Sequence, residues 1–128
     1  MTLKDIQTRE DIKLLVDAFY QRIMVDDVIG FFFTKVIPLN LEKHLPIMYD
    51  FWETILLGNI TYKGNPMLKH IDLNRKEPLK PKHFERWLEL WETTLQENFR
   101  GKNADEALNR AKQIGALMQF KVEQDRTS

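Results

Sequence analysis

Apolar side chains recur at Ile12, Leu15, Val16, Phe19, Tyr20 and Ile23, the three-and-four spacing that places a stripe on one face of a helix. The pattern predicts a first long helix over residues 8 to 25. Thr8 followed three residues later by Asp11 is a capping-box-like start, and Asp26-Asp27 disfavours continuation at the negative end of the helix dipole. From Val28 to Phe33 the apolar residues are packed into too short a run for a full helix. A single helical turn that feeds aromatic rings inward is expected there.

A second amphipathic segment begins between Asn40 and Pro46 and continues through Met48, Trp52, Ile55 and Leu56 to Gly58, a C-terminal stop. Proline is tolerated in the first helical turn, so Pro46 places His44 at or just before the helix N-terminus. Tyr62-Lys63-Gly64-Asn65-Pro66 combines turn formers, an Asn cap and a proline at the first helical position. A short helix, Met67 to Ile71, should follow and carry His70. Asp72 to Lys82 has two prolines, several Lys and Arg side chains and no apolar period, which reads as an irregular loop. A third long helix starts at Pro81 with Phe84, Trp87, Leu88, Trp91 and Leu95 on one face and ends near Arg100-Gly101. Asn103 with Glu106 forms a further capping pair, and Leu108, Ala111, Ile114, Gly115, Met118 and Val122 outline the last helix. The polar tail from Gln124 to Ser128 is expected to fray. Strand-like alternation, internal repeats and Gly-rich phosphate loops are missing, so the fold class is all-α.

Composition narrows the chemistry. The 128 residues make one domain, long enough to bury a sizeable core without disulfides or a structural metal. Nineteen basic side chains balance nineteen acidic ones, and the basic residues are scattered, which argues against nucleic-acid binding. With no cysteine, thiolate zinc sites, iron–sulfur ligation and a Cys nucleophile are excluded. The charged start Met-Thr-Leu-Lys-Asp-Ile is unlike a signal peptide, and no apolar run reaches the ~18 residues of a membrane span. A soluble, cytoplasmic protein is expected. The three histidines lack the i, i+3 or i+4 spacing of helical zinc sites, and no serine has a nearby base in sequence. Aromatics on several separated helices, with histidines on different segments, exceed what a small helical core needs. They suggest a lined cavity.

Phe19-Tyr20, Phe33, His44-Leu45-Pro46, Asp50-Phe51-Trp52, Tyr62-x-Gly64-Asn65-Pro66, His70 and Phe84-x-x-Trp87-Leu88 together resemble the bacterial truncated haemoglobins of the third group. The match spans nearly the whole chain, and the order and spacing of the blocks carry it. Groups I and II usually have Gly-Gly pairs flanking their helices; this chain has none. The resemblance implies a shortened globin, two helices stacked crosswise over two, with b-type haem between them. It maps His70 onto the proximal iron ligand and Tyr20, His44 and Trp87 onto the distal pocket. By the same analogy Phe33, Met48, Phe51, Trp52, Leu73 and Met118 pack the porphyrin, while Arg75, Lys80 or Lys82 pairs a haem propionate.

Each of these residues also has a plainer reading. Taken alone, His70 is an ordinary surface or loop histidine, Tyr20 a half-buried tyrosine on an apolar face, Trp87 core packing and His44 a solvent-facing capping residue. Met67 is a competing soft ligand near His70, and the basic residues are a solvated charge run. The function implied by the resemblance is reversible binding of O2, or of NO, CO, cyanide or peroxide, at a His-ligated iron. One alternative is a haem enzyme for NO dioxygenation or peroxide chemistry, with electrons from a separate reductase. Another is a haem-free helical interaction module whose aromatics form a core or groove.

Overall fold

Thr8 begins the first helix as a reciprocal cap: its Oγ1 accepts the Asp11 backbone N–H at 3.2 Å, and Asp11 Oδ2 accepts the Thr8 N–H at 3.1 Å. The helix α1, Arg9–Met24, follows with Ile12, Leu15, Val16, Phe19, Tyr20 and Ile23 buried, which is the stripe read from the pattern. The computed structural model describes residues 3–36, 40–59 and 79–127, with the side chains of 125–127 left aside. Its remaining elements are a π-helical turn, Phe32–Val36, and the helices α2, Leu41–Leu57, α3, Pro81–Asn98, and α4, Lys102–Thr127. Among the described residues there is no strand. The short helix expected at Met67 to Ile71 and most of the loop after it lie outside the described residues.

Three local expectations change. Pro46 is the sixth residue of α2, beyond the first turn, and His44 is the fourth residue, inside that turn instead of at or before its start. Asn40 caps the helix earlier than the proline alone indicated, accepting from the Lys43 N–H at 3.4 Å. Proline cannot donate to the carbonyl four residues back, that of Glu42, so the backbone ladder is broken once near the helix start. Second, Asn103 with Glu106 does not cap α4, because Lys102 is already helical. The cap comes from Asp5, whose two carboxylate oxygens accept the Asn103 and Ala104 N–H groups at 2.9 Å each. Asn103 Nδ2 in turn donates to the Ile6 carbonyl at 2.6 Å. A cap supplied from the other end of the chain leaves no local sequence signal. Third, the polar residues from Gln124 carry helical backbone as far as Thr127.

The core forms where α1 packs on α2 and α3, and α4 packs on α3 and α2. Trp91 of α3 lies at its centre. Its ring stacks on Trp52 at 4.5 Å between centroids and meets the edge of Phe19 at 4.9 Å, while its indole N–H donates to the Ala107 carbonyl at 3.1 Å. The corner after α1 is held to α3 by Asp26. This carboxylate accepts the Val28 and Ile29 N–H groups at 3.0 and 3.1 Å and pairs with the Arg86 guanidinium at 2.7 Å. Burial pushes the Asp26 carboxyl up, but Arg86 and the two backbone donors outweigh it and leave the pKa below the ordinary value.

A carboxyl lowered in the folded state stabilises above its unfolded pKa, and the contribution fades as pH falls through the folded value. Asp26→Asn is therefore expected to cost about 1–2 kcal/mol near neutral pH, discounted for the partly exposed Arg86. In urea titrations the gap between variant and parent should close as pH drops below about 4. A gap independent of pH would show that the charge is not what Asp26 contributes. Gly101 has φ +146°, and a Cβ there would lie 2.5 Å from Asp5 Cγ. Gly101→Ala is expected to lose about 1–3 kcal/mol through strain and displacement of the cap, and Asp5→Ala about 1–2 kcal/mol, both read from urea midpoints.

Candidate functional site

Tyr20 is buried on the last full turn of α1, and its neighbour Phe19 contacts it edge-on at 5.4 Å. Across from it, the first turn of α2 presents His44. Tyr20 Oη and His44 Nε2 lie 2.8 Å apart and share one hydrogen bond, with the rings edge to face at 5.1 Å. Either the phenol donates to an unprotonated Nε2, or an Nε2–H donates to the phenol oxygen. Burial drives the Tyr20 phenol pKa far above its ordinary value, so the hydroxyl keeps its proton. In the second arrangement that O–H is left to donate to a further acceptor.

Trp87 reaches the same region from α3. Its ring meets the edge of Phe19 at 6.0 Å, so Phe19 is packed against both Tyr20 and Trp87. Gly115 of α4 lies behind Trp87: a Cβ there would be 3.7 Å from the indole. The three side chains mapped to the distal pocket thus come from three helices; Tyr20 and Trp87 meet at Phe19, and His44 joins them through Tyr20. His44 alone is tied to Tyr20 directly; Trp87 is a ring away.

The residues expected to pack a porphyrin divide into two groups. Phe33, Met48 and Phe51 are partly buried and border the core, where apolar side chains are left half covered. Trp52 and Met118 are buried within it, and Trp52 has one ring face on Trp91. Half-covered aromatic and thioether side chains of this kind offer the apolar surface that a flat group needs. The proposed proximal ligand His70, with Leu73 and Arg75, lies outside the described residues. Lys80 precedes α3 as its N-cap and Lys82 is exposed in the first turn.

Two features of this region were not singled out from the sequence. His83 is buried at the start of α3, its Nδ1 accepting the Lys80 N–H at 2.9 Å and its ring edge-on to Phe32 at 4.8 Å. Its place two residues after Pro81, in the first helical turn, was the available signal. The other is a ladder of polar contacts between α1 and α2. Arg9 pairs with Asp50 at 2.9 Å and with the buried Glu53 at 2.8 Å, and the Tyr49 hydroxyl donates to the Asp17 carboxylate. No spacing within one helix encodes contacts that cross to another.

The Bacterial-like globin family model matches residues 4–120. Group 3 truncated hemoglobin ctb of Campylobacter jejuni is 32% identical over 114 residues, covering 87% of this chain and 87% of that protein. The crystal structure of group III truncated hemoglobin from Campylobacter jejuni superposes with a TM-score of 0.81 at 27% identity, over 94% of this chain and 95% of that one. The helical architecture is therefore that of the truncated globins, proteins whose fold serves to hold haem and to bind small ligands at it. With matches of this extent, the chain belongs to the bacterial-like globin family, as a group III truncated haemoglobin that binds haem and small ligands.

Proposed function

We propose that the protein binds O2 reversibly, and NO as a related ligand, at b-type haem lying between two pairs of helices, with His70 as the proximal iron ligand. The observation that carries the distal half of this reading is the part-buried Tyr20–His44 hydrogen bond beside Phe19 and Trp87. Haem, when bound, would supply the iron at which a diatomic gas is held with partial negative charge. What the chain adds is a set of neutral donors in a largely dry pocket, where hydrogen bonds to negative charge are strongest.

Tyr20 and Trp87 have different parts to play. An indole N–H can only donate, so Trp87 always presents positive potential toward the ligand. A phenol donates or accepts, and its role depends on His44: an Nε2–H given to the Tyr20 oxygen turns the phenolic O–H toward the ligand. Engaged in this way, His44 orients the Tyr20 hydroxyl. His70, on the far side, would direct one ring nitrogen at the metal and donate from the other to a nearby carbonyl, which fixes the tautomer. Phe33, Met48, Phe51, Trp52, Leu73 and Met118 supply apolar surface for the porphyrin, and Arg75 pairs with a propionate. Among the described residues no helix is long and apolar enough to cross a membrane, which is compatible with a cytoplasmic site of action.

Purified protein given hemin is expected to show a Soret band and, after reduction with dithionite, a five-coordinate ferrous spectrum that becomes six-coordinate on adding CO. His70→Ala should lose the cofactor and melt at a lower temperature than the parent, since a ligand that binds only the folded state stabilises it. A colourless parent protein would overturn the assignment. In the haem-loaded protein, Tyr20→Phe and Trp87→Phe should each speed O2 dissociation by about tenfold to a hundredfold, as loss of a hydrogen bond worth about 1.5–3 kcal/mol requires. Unchanged stopped-flow rates in both variants would show that these groups do not hold the ligand.

A further inference from the structure

The Tyr20–His44 bond exists only if α2 sits at one position along α1, and the contacts between these helices show how that position is held. Going up α1, Arg9 meets Glu53 and Asp50, Asp17 meets Tyr49, and Tyr20 meets His44. Numbers rise on one helix as they fall on the other, so the two run antiparallel and the distal pair is the last rung. Arg9 is ~16 Å from Tyr20 along the helix axis, whereas Asp17 is only ~4.5 Å away, one turn earlier on α1. On α2, Tyr49 follows His44 by about a turn and a half.

Between His44 and Tyr49 lies Pro46. Its missing N–H removes one backbone bond, that to the Glu42 carbonyl, but the helix continues through it from Leu41 to Leu57, so a register set at Tyr49 is carried to His44. Arg9 holds α2 at Asp50 and Glu53, and of these contacts beyond the proline that of Tyr49 with Asp17 lies nearest His44 along the helix. Apolar contacts tolerate sliding, but a phenolic O–H given to a carboxylate is directional and short-ranged. Arg9 and Lys13 each lie 5.9 Å from the Tyr49 ring centre, which adds cationic neighbours on the same side. Burial first, and then the Asp17 carboxylate, push the Tyr49 pKa up to about 12, so the donating proton stays in place at physiological pH.

We infer that Asp17 and Tyr49 are positioning residues for the distal pocket: their hydrogen bond sets the register of α2 on α1 that brings His44 Nε2 to Tyr20 Oη. The inference rests on the distal role proposed for Tyr20 and His44. Neither Asp17 nor Tyr49 needs to touch ligand or haem for it to hold.

The test uses the full chain in its ferrous CO form and reads two signals. One is the ring-nitrogen resonance of His44; the other is the C–O stretching band, which responds to donors near the ligand oxygen. Tyr49→Phe keeps the ring but loses the donor, and Asp17→Ala loses the acceptor. Both are expected to move the two signals at least halfway toward their positions in Tyr20→Phe. Asp17→Asn, whose amide oxygen can still accept, should restore the parent values. Lys4→Ala removes the ion pair to Asp11 at the far end of α1 and should lower the melting temperature while leaving both signals in place. Parent signals in Tyr49→Phe and Asp17→Ala, or an equal displacement in Lys4→Ala, would overturn the inference. A parent protein without a Soret band would sink the functional reading instead, and the His44 resonance of the chain as purified would still decide the register.

Discussion

The indole of Trp91 is the constraint around which the other helices settle. It is fully buried on α3, stacked on Trp52 of α2 and met edge-on by Phe19 of α1, and its N–H is given to Ala107 of α4. An indole buried without a partner for its N–H would cost the desolvation of that group, so the carbonyl of Ala107 is obligatory for this packing. Four helices thereby share one side chain, and displacing any of them disturbs the surfaces that the others meet.

Phe19 transmits this arrangement to Tyr20 and Trp87. Among the described residues its ring meets Trp91 in the core and Tyr20 and Trp87 toward the core's border. The polar pair Tyr20–His44 is then fixed from two directions, by aromatic packing behind Tyr20 and by the polar ladder between α1 and α2. A protein that must hold a charged or polar ligand beside an apolar cofactor needs donors that are rigid before the ligand arrives, because ordering them at that moment would cost binding free energy. Neutral side chains meet this need at lower desolvation cost than ionised ones.

Much of the helical architecture was legible locally. The stripe from Ile12 to Ile23 and the Thr8–Asp11 capping box marked α1, Pro81 marked the start of α3, and Gly58, at φ +76°, marked the end of α2. Less of the site could be read this way. Pro46 was assigned to the first turn because proline statistics favour it there, but Asn40 begins the helix earlier and the broken rung is absorbed in its second turn. The Asn103–Glu106 pair had the right spacing for a cap, yet Asp5 arrives from the opposite end of the chain to take that place.

The sequence by itself determined an all-helical domain, the faces its described helices bury, and the family whose spacing of His, Tyr, Trp and Pro residues it shares, because periodicity and capping act over one or two turns. Only the tertiary structure decided that Tyr20 and His44 share a hydrogen bond, that Phe19 is common to Tyr20 and Trp87, and that Asp17 meets Tyr49. Those contacts join residues on separate helices, and the free energy that selects them comes from packing the whole core at once.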